Sequence, residues 1–499
     1  MNKRSKIAIL GFGVEGKAML AYLEKHGFTE ITVCDRNVDL KAELPQGVSS
    51  SLGVDYLMGL ENFEVVFRSP GVRFLDPRVQ LAKAKGVEVT SATKFFIDLC
   101  PCPIVGVSGT KGKGTTSTLI FEMLKKGGRK SGLNLFLGGN IGQCPVEFLD
   151  NLNRNCLVIL ELSSFQLQDL EKSVKYAVML NTTVAHLDYH EDREEYMEAK
   201  EKLLVKQGTG GVAVLNKDYE YSKYYGPLVK GNLKWVSVKG DASARRERAG
   251  ERGSGSASPS EAELIKNGVY VDGGKIFYAH GGKSEKIAEV SEMALVGSHN
   301  LENILPAIAV ARELGVSGEA CHEVIKEFKN LPHRLQFVRE VGGIKFYNDS
   351  FSTVPETSMA AADSFSEPLV LIAGGYDNGA DYSEWAEKIL TRENLHTVIL
   401  IGATSDKMEK ALVEAEGRLT LKSQFGLQKN IQNLQESSKQ VFPTKILRRK
   451  ALEDAVIDAY AESDAGGVVV MSPAAQSFGL FKNYKQRGND FIAHVRKLK

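Results

Sequence analysis

Short apolar runs recur along the chain, each closed by a turn rich in glycine or proline and followed by a stretch with helical spacing. Lys6–Leu10 reads as a strand, Gly16–His26 as a helix, and Glu30–Cys34 as a second strand ending at Asp35. Val65–Arg68 is a further strand, closed by Ser69–Pro70–Gly71. Strands alternating with helices imply a parallel, doubly wound sheet. The same rhythm restarts at Pro103–Val107, passes through a glycine-rich turn into a helix from Thr115 to Lys126, and continues with strands at Cys156–Leu160, Ala177–Leu180 and Gly211–Leu215. Strand-like pieces follow at Gly268–Val271 and Lys275–Tyr278, then a helix over Leu301–Leu314. A third unit begins near Pro332–His333–Arg334, with strands at Ile344–Tyr347, Leu369–Ala373, Thr397–Ile401 and Gly467–Met471. There is no tandem repeat. The expected organisation is α/β, three domains in series: 1–99, 100–332 and 333–499.

Composition changes this picture in one place. The run at about 241–261, DASARRERAGERGSGSASPSE, has no apolar period and mixes Arg with Glu, so it predicts a flexible surface insertion and not a nucleic-acid arm. The whole chain of 499 residues carries 63 Lys and Arg against 62 Asp and Glu, a formal net charge of +1, which gives no global case for nucleic acid or an acidic membrane. No stretch approaches the about 18 apolar residues of a membrane span. The apolar run Ile7–Leu10 behind the basic N-terminus meets glycine at once, so it reads as a strand and not as a signal peptide. The six cysteines (34, 100, 102, 144, 156 and 321) form no CxxC pair and are expected to be reduced thiols of a cytoplasmic enzyme.

The strongest local chemistry lies in Gly106–Val–Ser–Gly–Thr–Lys–Gly–Lys–Gly–Thr–Thr116, between a strand and a helix. Glycines let backbone amides turn inward, and a helix N-terminus adds partial positive charge, which suits a polyphosphate. Lys113 would reach the terminal phosphates. The standard phosphate loop, GxxxxGK[ST], would need glycine at 107 and a hydroxyl after the lysine; here stand Val107 and Gly114. The nearest hydroxyls for a magnesium ion are therefore Thr115 and Thr116.

The GTxGKG pattern at Gly109, Thr110, Lys111, Gly112, Lys113 and Gly114 resembles the Mur ligase and folylpolyglutamate synthase superfamily, whose folate branch also has glycine after the lysine. Four further segments follow in the order and approximate spacing of the D-glutamate-adding branch of the Mur ligases: Gly138–Gly–Asn140–Ile–Gly142, Glu161–Leu–Ser163–Ser–Phe–Gln166, Asn181–Asp188 with His186, and Tyr196–Met–Glu–Ala–Lys200. The resemblance implies ATP binding by the loop with Thr115. It implies magnesium ligation (two ions) by Thr115, Glu161, His186 and a carbamylated Lys200, and catalytic roles for Lys113, Asn140, His186 and Lys200. A neutral lysine amine captures carbon dioxide, and nearby cations favour the resulting carbamate. From the residues alone, Lys200 is one exposed helical lysine among several, as Lys202 and Lys206 are.

The outer segments extend the resemblance. Gly11–Phe–Gly13–Val14–Glu–Gly16 with Asp35 matches a dinucleotide fingerprint. In the Mur ligases the equivalent Rossmann-like domain holds a UDP group, which implies substrate contacts by Gly13, Val14, Asp35, Arg36, Ser69 and Gly71, joined by Ser163 and Gln166 of the central ATPase-type domain. Gly297–Asn303 resembles the adenine-contacting segment, with Asn300 and Asn303. Leu331–Arg334 resembles the motif whose arginine reaches the γ-phosphate, and Asn348–Asp349–Ser350 the ribose segment. Ser472–Phe478 and Phe481–Asn489 resemble the tail of the D-glutamate branch, implying amino-acid contacts by Thr353, Ser477, Phe478 and Tyr484 in a Rossmann-like C-terminal domain.

Two positions depart from that branch. Phe351 stands where many members have lysine, and Asn378 stands at or near a basic position. A glutamate side chain needs a cation or several donors, so L-glutamate stays beside D-glutamate. The implied reaction is ATP-dependent amide formation between UDP-N-acetylmuramoyl-L-alanine and glutamate by a monomeric enzyme. Ligases for another peptidoglycan residue or for folate, a nicotinamide-dependent oxidoreductase built on Gly11–Gly16, and a non-catalytic nucleotide binder are the alternatives.

Overall fold

The structure is a computed structural model that describes residues 2–127, 132–140, 143–182, 189–239, 265–295, 297–429 and 444–499. The expected insertion at 241–261 and the candidate ligand His186 lie outside the described residues.

Strands β1 (Ile7–Leu10), β2 (Ile31–Asp35), β3 (Ser49–Leu52), β4 (Val65–Arg68) and β5 (Glu88–Thr90) form a parallel sheet in the order β3-β2-β1-β4-β5. A second sheet contains β6 (Ile104–Ser108), β7 (Asn134–Gly139), β8 (Cys156–Glu161), β9 (Tyr176–Met179), β10 (Val212–Asn216), β11 (Asn232–Ser237), β12 (Gly268–Asp272), β13 (Lys275–His280) and β14 (Lys283–Glu289). Its order is β14-β13-β12-β11-β10-β9-β6-β8-β7, parallel except for the β12-β13-β14 meander. The third sheet is built of β15 (Gln336–Val341), β16 (Ile344–Asn348), β17 (Leu369–Gly374), β18 (Leu395–Ile401), β19 (Lys445–Arg449) and β20 (Val468–Met471), in the order β15-β16-β20-β17-β18-β19, with only β15 antiparallel.

Central strands such as β1, β6, β8, β17 and β20 are buried along their whole length, which is why they read as unbroken apolar runs. The strands that the pattern did not single out are β3, β5, β7, β11, β14, β15 and β19. They carry mixed or polar sequence, and most lie toward a sheet edge, where one face or one side meets water.

The chain divides into two compact units, residues 1–293 with 300–327, and residues 294–299 with 328–499. The first two expected domains thus carry separate sheets inside one compact unit, and a second unit begins close to the expected boundary at 333. Among the described residues no helix is long and apolar enough to cross a membrane, and all six cysteines are free thiols.

Candidate functional site

The phosphate loop leaves β6 at Ser108 and enters the helix Lys113–Gly127. Its backbone path requires glycine. Gly109 has φ +144° and Gly112 φ +83°, and a Cβ would come within 2.6 Å of Leu180 Cβ at the first and 2.0 Å of Asn303 Oδ1 at the second. The loop is tied to its neighbours by Thr110 N donating to Asn181 O (2.8 Å) and by Thr110 Oγ1 bonding to Tyr196 OH (2.9 Å). Lys113 Nζ donates to the carbonyls of Gly109 and Thr110. Lys111 is exposed, and Gly114 and Thr115 are buried. Thr116 turns its hydroxyl toward Asn303, so Thr115 is the better placed of the two threonines for an incoming cation. Asn303 in turn donates to Asn300 Oδ1 (2.9 Å).

Glu161 ends β8, one strand away from the loop, and is buried. The register that sets Gly139 of β7 opposite Glu161 places Asn140 beside it. Asn140 N donates to Glu161 O (2.9 Å), and its Nδ2 reaches Glu161 Oε1 at 3.3 Å. The other oxygen, Oε2, is buried with no hydrogen-bond partner among the described residues. A buried carboxylate oxygen left without a donor is costly unless a cation meets it.

Lys200 lies on the helix Arg193–Val205, whose N-cap Asp192 accepts from Glu195 N. Far from being an exposed helical lysine, it is 1% exposed. Its Nζ donates to Gly109 O (3.0 Å) and Ser108 Oγ (3.4 Å) and sits 4.9 Å from the Tyr196 ring centroid. Burial holds the amine well below the ordinary lysine range; Lys113 pushes the same way and Glu161 opposes both. A carbamate forms from a neutral amine, and burial of Lys200 favours that form. Lys202, also read as exposed, is half-buried and donates to Gln168 O; Lys206 is exposed. Among the described residues no group of three His, Cys, Asp or Glu could hold a metal. Thr115, Glu161 and Lys200 nevertheless fit one, because a carbamate would add the missing oxygen donors.

The turn Gly11–Gly16 is equally constrained. Gly11 has φ +84°, and a Cβ on Gly16 would meet Gly11 O at 2.1 Å. Asp35 at the end of β2 accepts from Phe12 N (2.7 Å) and Asn37 N (2.8 Å), and Ser69 Oγ donates to Gly11 O (2.8 Å). Gly13, Val14, Arg36 and Gly71 are exposed around this turn. Ser163 and Gln166 form a reciprocal cap on the short helix Ser164–Leu167.

The second unit carries the remaining candidates. Segments after β16, β17 and β20, which are neighbours in the sheet, gather at the carboxyl ends of the strands, the usual ligand face of an open α/β sheet. Arg334 stacks on Phe351 (3.8 Å to the ring centroid), and Phe351 meets Tyr484 edge-on at 4.9 Å. Asp349 is buried, accepting from Leu335 N (3.0 Å), Ser472 Oγ (2.7 Å) and Ser352 Oγ. Ser477 is buried, Thr353 and Tyr484 are half-buried, and Phe478 is exposed against Tyr376. Asp377, beside Asn378, is met by Lys407 at 3.4 Å.

Three contributors escaped the sequence reading. Tyr196, one helical turn before Lys200, braces the loop; its i, i+4 spacing to Lys200 was the available signal. Arg487, inside the tail motif, is fully buried and bonds Ser350, Ala475 and Gln476. Arg68 is buried at the end of β4 and donates to Val72 O, Tyr189 OH and Phe165 O. Long-range partners of this kind leave no local pattern.

Comparison with known proteins bears on this arrangement. Residues 107–311 match the family model of the Mur ligase middle domain, and residues 5–91 that of the Mur ligase MurD-like N-terminal domain. The UDP-N-acetylmuramoylalanine–D-glutamate ligase of Acetivibrio thermocellus is 34% identical over 502 residues, covering 99% of this chain and 97% of its own. The ligase of the same name from Clostridium tetani is 31% identical over 499 residues, with 99% and 97% covered. Among solved structures, UDP-N-acetylmuramate-alanine ligase MurC of Thermotoga maritima aligns with a TM-score of 0.55 at 15% identity, covering 99% of both chains. MurF ligase of Thermotoga maritima in complex with ADP aligns at 0.53 and 16%, covering 99% of this chain and 97% of that one. At such identities the structures speak for the fold, and the full-length relatives, with the two matched domains, speak for descent: the chain belongs to the Mur ligase family.

Proposed function

We propose that this chain joins D-glutamate to UDP-N-acetylmuramoyl-L-alanine at the expense of ATP, a step in building the peptidoglycan precursor. The observation that carries the reading is the burial of Lys200 against Ser108 and Gly109 at the start of the phosphate loop, within the electrostatic reach of Lys113 and Glu161. The full-length relatives named for this reaction support the choice of substrates.

Carboxylates do not acylate amines at neutral pH, so the L-alanine carboxylate must first be activated. It attacks the γ-phosphorus of ATP; ADP leaves and an acyl phosphate forms. The glutamate amine then attacks the acyl carbon and inorganic phosphate departs. Lys113 and the inward amides of Gly109–Gly114 offset charge on the phosphoryl group in transfer. Magnesium, held by Thr115, Glu161, His186 and carbamylated Lys200, would bind phosphate oxygens and neutralise their charge. Asn140 orients Glu161. Gly13, Val14, Asp35, Arg36, Ser69 and Gly71, joined by Ser163 and Gln166, take the UDP-linked substrate. Arg334 and Asp349 are the second unit's nucleotide candidates, and Thr353, Ser477, Phe478 and Tyr484 its amino-acid candidates. The three-domain division at 99/100 and 332/333, and a cytoplasmic location, belong to the same reading.

L-glutamate is the second reading, favoured by Phe351, whose ring carries Arg334 where a lysine was expected. Phosphate release from purified protein with UDP-N-acetylmuramoyl-L-alanine, magnesium, ATP and each glutamate enantiomer in parallel decides between them. No release with either enantiomer rejects the function. Lys113→Ala is expected to abolish turnover; near-normal rates would place the ATP site elsewhere.

A further inference from the structure

A part-buried side-chain bridge joins the turn Gly11–Gly16 to the segment after Glu161, and the proposed function gives its acceptor, Glu15, no role. Glu15 stands in the first turn of the helix Val14–Lys25, and its Oε1 accepts from Gln166 Nε2 at 2.6 Å. Gln166 is itself pinned. Its Oε1 accepts from Ser163 N (3.0 Å) and Ser163 Oγ (3.1 Å), and its backbone N donates to Ser163 Oγ (3.3 Å). With the amide oxygen committed to Ser163, the amide NH2 is aimed at Glu15. Leu162, between Glu161 and Ser163, is fixed by its own N–H to Val107 O (2.9 Å). Glu161 and Gln166 are therefore the two ends of one short, firmly held segment. Arg68 backs the same seam, donating to Val72 O in the turn after β4 and to Phe165 O beside Gln166.

We infer that Glu15 is a positioning residue: through Gln166 it couples occupation of the Gly11–Gly16 turn by the nucleotide end of the substrate to the placement of the Glu161–Gln166 segment. The inference rests on the reaction proposed above. Burial raises the Glu15 carboxyl to about 7, against the Gln166 hydrogen bond and the charge of Arg68. Gln166 is the donor whether the carboxyl is charged or neutral, so glutamine at position 15 keeps the acceptor and alanine removes it.

The test uses the full chain as wild type, E15Q, E15A, Q166A and E15A/Q166A. Loss of this part-buried hydrogen bond predicts, for E15A, a rise of about tenfold in KM for UDP-N-acetylmuramoyl-L-alanine and in the magnesium concentration giving half activity. A smaller change in kcat and near-wild-type constants for E15Q are expected, and the double variant should be no worse than either single one. A merely structural role would lower kcat or stability without moving the two constants together. Hydrogen exchange provides a readout without turnover: the same substrate should slow exchange of the amides of 163–167 in wild type and E15Q but not in E15A. Wild type that shows this protection without releasing phosphate sinks the reaction and leaves the coupling standing. Release with unchanged constants in E15A, additive losses in the double variant, or equal losses in E15Q and E15A overturn the coupling.

Discussion

Lys200 shows how far a single side chain can depart from its local sequence. By pattern it belongs to a charged helix; in the fold it is buried against Ser108 and Gly109, with its amine held well below the ordinary lysine range. A carbamate there would give a cation oxygen ligands. Protein equilibrated with 13C-labelled bicarbonate is therefore expected to show one carbamate carbonyl resonance, absent from Lys200→Ala; the same resonance in both proteins would exclude Lys200. The loop glycines were legible because their spacing is local, whereas Lys200 is buried against Ser108 and Gly109, distant in sequence. Gly112 is the sharpest of those glycines, with φ +83° and Asn303 Oδ1 where a Cβ would sit. Gly112→Ala should cost about 2 kcal/mol from the left-handed backbone and the displaced Asn303, read as a lower thermal midpoint and weaker ATP binding. An unchanged midpoint would mean that the loop rearranges freely.

At the scale of elements, continuous burial made β1, β6, β8, β17 and β20 readable, and with them the positions of Gly109–Gly114 after β6 and of Glu161 at the end of β8. Edge strands such as β3 (SSSL) and β19 (KILRR) were not readable, because an edge strand is held by its neighbour's backbone and needs few apolar residues. Asp349 illustrates how elements are locked together: it sits just beyond β16 and draws in Leu335 N and Ser472 Oγ, the latter from just beyond β20. Burial raises its carboxyl to about 6, against the bonds from Ser352, Ser472 and Leu335 and the charge of Arg334. Because the native value stands above the ordinary carboxylate value near 4, the native state binds more protons than the unfolded chain between about pH 4 and 6. Stability from this group is therefore fully present below that window and is lost as pH rises through it. Across it, urea denaturation should show the wild type losing stability relative to Asp349→Asn, by about 3 kcal/mol at most. A difference that is flat with pH would show that Asp349 is ionised throughout.

For the molecule as a whole, the division of buried apolar residues predicts how the chain comes apart. The second unit has its own cores: Trp385, Leu371 and Val470 lie in one cluster, Phe346, Ile399 and Phe491 in another. In the first unit the partition differs. Leu20 and Phe96, from the part that carries the first sheet, share one continuous cluster with Cys102, Phe148 and Leu160 from the part that carries the second. Arg68 and Glu15 add part-buried polar bonds across the same seam. Three domains by sequence and sheet should therefore behave as two cooperative units, because a cooperative unit is defined by shared burial and not by sheet count. Calorimetry of the full chain is expected to resolve two transitions, and a fragment of residues 328–499 should unfold cooperatively by itself. ADP with magnesium should raise chiefly the transition of the first unit, which holds the phosphate loop, because a ligand stabilises the unit that binds it. Three transitions would mean that the seam at Glu15 and Phe96 is too weak to join the first two sheets. A non-cooperative 328–499 fragment would mean that its cores need the first unit to form.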